Sequence, residues 1–223
     1  MDTIGAKTVA GKTVAAKTVA GKTVAGKTVA GKTVAARLAS LRDVMAAEGF
    51  DALFVPRADE YLGEYIPPHN ERLRWISGFT GSAGVAVILR QSAAIFVDGR
   101  YTVQADAQVD KAIFTIEHFA DNPPEQWLEQ NLKAGGRLGY DPWLHTTERA
   151  EKLKKACTAA GAALVAVDDN PIDALWRDRP APPAGKVVIR DSKLAGASAA
   201  GARTSANSSS ACRTSFVSLA ASR

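Results

Sequence analysis

With 223 residues, 46% of them hydrophobic, the chain can hold one domain with a buried core, or one such domain between unstructured ends. The net charge of +5 belongs to the ends: residues 1–36 hold six lysines against Asp2, residues 192–223 hold four cations and no acid, and residues 37–191 carry 18 basic and 22 acidic side chains. The isoelectric point near 9.3 is therefore no argument for a nucleic-acid surface on the domain.

Cys157 and Cys212 are too few for a disulfide framework or a thiolate metal site. The sequence contains no run of about 18 apolar residues to span a bilayer and no apolar stretch of a secretory signal near Met1. The expectation is a cytoplasmic protein that binds neither membrane nor nucleic acid.

Residues 6–36 repeat a five-residue unit, Lys-Thr-Val-Ala-Gly/Ala, six times. At about 100° per residue, a five-residue period turns successive valines by roughly 140° and spreads them around a helix. In a strand the odd period sends them to alternate faces. Neither gives an apolar stripe, so 1–36 reads as low-complexity sequence. The repeat also generates two literal phosphate-loop matches, Gly21-Lys-Thr-Val-Ala-Gly26-Lys27-Thr28 and its overlapping successor ending at Thr33. A working phosphate loop follows a strand and opens a helix; here more repeat precedes the match.

The ordered part is expected over 37–190. Apolar residues at 38, 41, 44 and 45 predict a helix ending at Gly49, and 51–56 predicts a strand stopped by Pro56. A polar loop covers 57–70 and leads into the apolar-rich 71–76. Residues 84–90 and 93–97 predict a hairpin. Beyond it come a helix over 100–110, a strand over 114–119, a helix opened by prolines over 124–132, a strand over 137–141, a helix over 146–160, a strand over 163–167 and a helical turn over 170–176. Strands alternating with helices after a central hairpin imply an α/β fold, a mixed sheet with helices on its faces. From residue 191 the chain turns abruptly Ser/Ala-rich and reads as a disordered tail, expected to be out-of-frame translation of a once longer coding sequence.

Asp59, Glu60, Glu64, His69 and Glu71 collect in one loop, but without the spacing of a metal motif they read as a solvated polar loop. His118 and His145 read as surface or hydrogen-bonded residues. Thr80-Gly81-Ser82-Ala83-Gly84 approaches a nucleophile elbow, yet it leads into a strand instead of following one, so its small residues read as a tight turn. Asp98-Gly99-Arg100-Tyr101 lies where a strand ends and a helix starts. There Arg100 either projects toward a carboxylate or carbonyl on a neighbour or pairs locally with Asp98.

Several segments together resemble the amino-terminal, creatinase-like domain of the aminopeptidase P (Xaa-Pro aminopeptidase) family. They are Arg37-Leu-Ala-Ser-Leu-Arg-Asp-Val-Met45, Asp51-Ala-Leu-Phe-Val-Pro56, Glu64-Tyr65, Glu71-Arg72-Leu73, Gly78-Phe-Thr-Gly-Ser-Ala-Gly84, Asp98-Gly-Arg-Tyr101, Gly139-Tyr-Asp-Pro142, Asn170-Pro-Ile-Asp173 and Trp176-Arg-Asp-Arg-Pro180, in order and over 37–190. The sequence departs from the family at Tyr61, usually His, and at Leu62. The resemblance implies a ribonuclease H-like fold and, in complete members, a typically dimeric metallopeptidase that removes a residue preceding proline. It also implies a dinuclear Mn²⁺ site in a carboxyl-terminal domain, with Arg100 reaching the substrate site of the dimer.

From Ser192 onward the sequence has no Asp, Glu or His. The expectation is therefore a truncated, non-catalytic domain with no cofactor of its own, inactive alone, whose partners are a second copy or a full-length peptidase. The proline-containing peptide is bound only in a complete protein. Two other readings stay open: an interaction module acting on an intact peptidase, and a nucleotide binder using the repeat.

Overall fold

A computed structural model of the chain describes residues 33–186, 191–196 and 198. The repeat up to Lys32, the body of both phosphate-loop matches and the tail beyond residue 198 lie outside the described residues. Two compact units divide the chain at Ala181 and Pro182.

The first unit opens with helix α1, Val34–Glu48. It starts three residues before the expected domain boundary because Thr33, the last threonine of the repeat, caps it with a hydroxyl that accepts from the Ala36 amide at 3.3 Å. Leu38, Leu41 and Met45 fall on one face and are buried. Gly49, at φ 76°, closes the helix in the left-handed conformation that costs glycine nothing.

Six strands follow: β1 (Ala52–Pro56), β2 (Gly84–Leu89), β3 (Ala93–Val97), β4 (Thr115–His118), β5 (Arg137–Tyr140) and β6 (Ala163–Ala166). They form one sheet in the order β4-β3-β2-β1-β5-β6. β2 runs antiparallel to β1 and β3, and the remaining pairs are parallel, so the sheet is mixed as expected. The hairpin joining β2 and β3 is closed by the Leu89 amide donating to the Ser92 carbonyl at 2.9 Å.

Both faces are covered, with the period-two alternation of a strand deciding which side chain goes where. On one face Leu53, Val55, Ile88 and Ile95 meet α1 together with α2 (Arg72–Ser77), α3 (Thr102–Gln108) and α6 (Pro171–Leu175). On the other, Phe54, Val87 and Phe96 meet α4 (Pro124–Asn131) and α5 (Thr147–Ala159).

Two local differences have simple causes. The helix expected over 100–110 starts as a 3₁₀ turn, Gly99–Tyr101, because the Asp98 carboxylate accepts the Arg100 amide and tightens the first turn. In the second unit, where an irregular tail is expected from residue 191, Ser192–Ala195 form a short helix, α7, capped by Asp191 accepting from the Lys193 amide at 2.8 Å.

Because only β2 is reversed, the carboxyl ends of β1, β3, β4, β5 and β6 share one edge. Chain order runs outward from β1 through β4 on one side and through β5 and β6 on the other, so the topology switches between β1 and β5. In open α/β sheets that is where ligands bind.

Candidate functional site

The Asp98–Tyr101 turn lies on this edge. Asp98 Oδ1 accepts from the Arg100 amide at 3.0 Å and from Arg100 Nε at 2.8 Å. Both bonds hold the Asp98 carboxyl below the ordinary carboxylate range, the backbone donor more than the side chain. The Arg100 side chain is 71% exposed. Its guanidinium lies 5.5 Å from the centre of the Tyr101 ring, while the Tyr101 hydroxyl bonds to Ser82 Oγ.

With Nε engaged and one face on Tyr101, the terminal nitrogens of Arg100 are left to meet a carboxylate or carbonyl from outside. The local pairing with Asp98 is thus present, and it orients Arg100 without consuming its fork.

Ser82 has Tyr101 as its side-chain partner and no imidazole beside it. Its neighbours explain the small residues. A Cβ on Gly81 would lie 2.3 Å from Phe79 Cζ and 2.8 Å from Tyr101 Cδ1, so the turn presses its backbone onto two rings.

The 57–71 loop is only partly solvated. Asp59 is 5% exposed, and its Oδ1 accepts from the amides of Tyr61 and Gly63, clasping the loop tip and holding Leu62 at φ 53°. Glu60 accepts from the buried Asn70, Glu71 pairs with Arg57 at 2.9 Å, and His69 Nδ1 donates to the Pro180 carbonyl. The reading of these carboxylates as solvated is corrected for Asp59 and Glu71. Their oxygens are taken up by the Tyr61 and Gly63 amides and by the Arg57 guanidinium, as a loop folded back on itself requires. No group of three or more His, Cys, Asp or Glu side chains among the described residues could hold a metal ion. The described residues therefore do not fit the dinuclear site that the resemblance implies for complete members.

His145 is half-buried and makes no side-chain hydrogen bond. Its ring sits between Phe54 and Tyr140, with centroids 5.4 Å and 5.7 Å away, and its buried Nε2 has no hydrogen-bond partner. Burial first and the Arg149 charge second lower its pKa from 6.5 to about 4, against a weaker opposing pull from Asp141. Between those values the unfolded chain takes a proton that the folded chain refuses. Stability is therefore whole above about pH 6.5 and falls as pH drops toward 4. Removing the imidazole with His145→Phe should flatten that limb of a melting-temperature profile; an unchanged slope would contradict the burial.

The edge also gathers exposed apolar side chains. In the described part of the first unit, the exposed large hydrophobics are Tyr61 (83%), Leu62, Tyr65 (88%), Val103 and Trp143 (75%). All leave the carboxyl ends of β1, β3 or β5, the same edge as Arg100. Sequence reasoning named Arg100 but not Val103 or Trp143; the one available signal was Trp143 following Pro142 in a polar stretch. No helix among the described residues is long and apolar enough to cross a membrane.

Comparison with known proteins matches residues 37–175 to the Creatinase/Prolidase N-terminal domain family. A probable Xaa-Pro aminopeptidase P from Coccidioides posadasii is 39% identical over 165 residues, 73% of this chain and 27% of that protein. Its counterpart from Neosartorya fischeri is 38% identical over 163 residues, 72% of this chain and 25% of its own. The chain thus spans about a quarter of the length of these curated relatives. Among solved structures, the X-prolyl aminopeptidase of Caenorhabditis elegans, described as a cytosolic enzyme with a di-nuclear active site, superposes with a TM-score of 0.67 at 30% identity. That match covers 75% of this chain and 29% of the other. The chain belongs to the Creatinase/Prolidase N-terminal domain family and holds the N-terminal domain of an aminopeptidase P-like protein.

Proposed function

We propose that this domain binds and positions, and does not hydrolyse. It presents Arg100 to a proline-containing peptide held by the catalytic portion of a complete peptidase, either in a second copy or in an intact relative. The observation that supports this reading is that an oriented, exposed Arg100 and the exposed Tyr61, Tyr65, Val103 and Trp143 all follow carboxyl ends of strands at one edge of the sheet. Exposed aromatics around an arginine with a free fork are the composition of a docking surface, with the charge placed to read a carboxylate or carbonyl. Mn²⁺ would be held by the catalytic portion, since the carboxylates here answer to other partners.

Two measurements test the reading. The purified chain with an Xaa-Pro peptide and added Mn²⁺ should show no turnover, and Mn²⁺-dependent turnover that survives repurification would overturn the proposal. In a complete relative, alanine at the position matching Arg100 should lower kcat/KM by about 10- to 100-fold, the worth of a charge-assisted hydrogen bond; unchanged kinetics would remove Arg100 from substrate binding.

A further inference from the structure

The sheet ends at β4 on one side and at β6 on the other, and the two outer strands are finished differently. The Ala163 amide donates to the Gly136 carbonyl and the Val167 amide to that of Tyr140, both at 2.9 Å. In a parallel ladder alternate residues turn their backbone groups to opposite sides. Ala163, Val165 and Val167 therefore face β5, and the amides and carbonyls of Leu164 and Ala166 point outward, with no partner among the described residues. On β4 the Phe119 amide donates to the Val97 carbonyl, which by the same alternation turns Ile116 and His118 outward. There the His118 carbonyl already accepts from the Asp121 and Asn122 amides, and Glu117 and His118 add polar side chains of the kind that keep an edge unpaired. β6, with the sequence Ala-Leu-Val-Ala, carries no charge and no proline.

An open edge of this kind accepts another strand, and two features select a second copy of this chain. The first is the spacing of the free groups. A twofold axis through Val165, perpendicular to the sheet, sets Leu164 opposite Ala166 of the second copy and Ala166 opposite its Leu164, as hydrogen-bonded pairs of an antiparallel ladder. Every outward amide and carbonyl of β6 is then used. Leu164 is half-buried on the α5 side, beside an open groove of about 530 Å³ walled by Ala150, Ala162 and Ala166, small side chains that leave room for the neighbouring strand.

The second feature is charge. Val165 stands about 13 Å along the strand from the Gly161 turn, a length equal to about nine residues of helix. That places the axis level with the stretch of α5 between Glu151 and Lys154. Both side chains border the groove, both are exposed, and neither has an ion-pair partner among the described residues. The axis turns α5 end for end, which brings Glu151 of each copy toward Lys154 of the other.

We propose that two copies of this chain join through β6 into one continuous sheet, with the α5 helices side by side on one face. The proposal is independent of the role given to Arg100, which follows β3 on the other half of the sheet.

The test is analytical sedimentation of the full chain from about 10 µM to about 1 mM, with exchange of the Leu164 and Ala166 amides followed by NMR over the same range. We expect a monomer–dimer equilibrium weakened by salt. Exchange at both amides should slow by about fivefold at the top of the range for a dissociation constant near ~0.1 mM, the weak end suited to so small an interface. Ala166→Pro removes an amide that the monomer leaves unpaired, so it should weaken the dimer by about tenfold or more while the dilute chain melts as before. Glu151→Lys should also weaken it, and adding Lys154→Glu should restore it, a recovery that requires the two residues to face each other across the axis. A chain still monomeric at about 1 mM, or a dimer whose Leu164 and Ala166 amides exchange as in the dilute chain, would overturn the proposal. Both outcomes are read on the wild-type chain, so the test stands even if a variant fails to fold.

Discussion

Asparagine in place of Asp173 should destabilise the first unit by about 3 kcal/mol, read as a lower urea midpoint at unchanged slope. Asp173 accepts from Arg72 Nε at 2.7 Å and Nη2 at 2.8 Å, and it pairs with Arg179 Nη1 at 2.7 Å. The Arg72 side chain is only 7% exposed and its Nη1 has no partner. An amide with one acceptor oxygen would leave two arginines facing each other with little compensation.

The same carboxylate anchors the chain from 170 to 180 against 68–73, since Arg179 Nε also donates to the His69 carbonyl and His69 Nδ1 to that of Pro180. A comparison variant, Lys152→Gln, breaks the exposed pair with Glu148 and should leave the midpoint where it was, because water and salt already screen that contact. A loss below about 1 kcal/mol for Asp173→Asn would mean that solvent replaces the carboxylate, contrary to the burial of Arg72.

Where a segment carries its own punctuation, the sequence reading and the structure agree to within a residue or two. β3 is found over Ala93–Val97 as expected, α4 starts at Pro124, and α5 ends beside the Gly161 turn. The 71–76 segment shows the opposite case. Leu73, Trp75 and Ile76 are too few to display a period, and six residues form α2 only because all three side chains are buried against the sheet. Strand order was likewise out of reach. The pairing of β1 with β5 brings together residues some 85 apart, and no local pattern encodes it.

The site divides in the same way. Arg100 was legible as a cation at a strand end, and its pairing with Asp98 followed from their spacing. What set its orientation was not legible, since Ser82 and Phe79 reach Tyr101 across about 20 residues of sequence. Asp59 and His145 were misread for one reason. A polar residue in a loop looks solvated until the fold shows whether the backbone closes over it, as at Asp59, or whether two rings do, as at His145.

Valine at Gly81 should destabilise the Gly78–Gly84 turn, and it should do so at the Arg100 site. The new Cβ would meet Phe79 Cζ at 2.3 Å and Tyr101 Cδ1 at 2.8 Å, both inside contact distance. Phe79 is 1% exposed and has little room to yield. Overpacking of this kind costs about 1–3 kcal/mol, occasionally more. Tyr101 is the side chain free to move, which would pull it from Ser82 and from beneath the Arg100 guanidinium.

Ser82, through its hydroxyl first, holds the Tyr101 phenol below its ordinary pKa. Alkaline absorbance titration of Gly81→Val should therefore show one tyrosine returning upward, together with a lower melting temperature. Gly99, two residues before Tyr101, is the counter-case. Nothing lies within 4 Å of a Cβ there and its backbone is not left-handed, so Gly99→Ala should be neutral or stabilising by about 0.4–1 kcal/mol, by restricting the unfolded chain. If Gly81→Val melted like the parent and left the tyrosine titration unchanged, the turn would not be what positions Tyr101, and the orientation of Arg100 would rest on Asp98 alone.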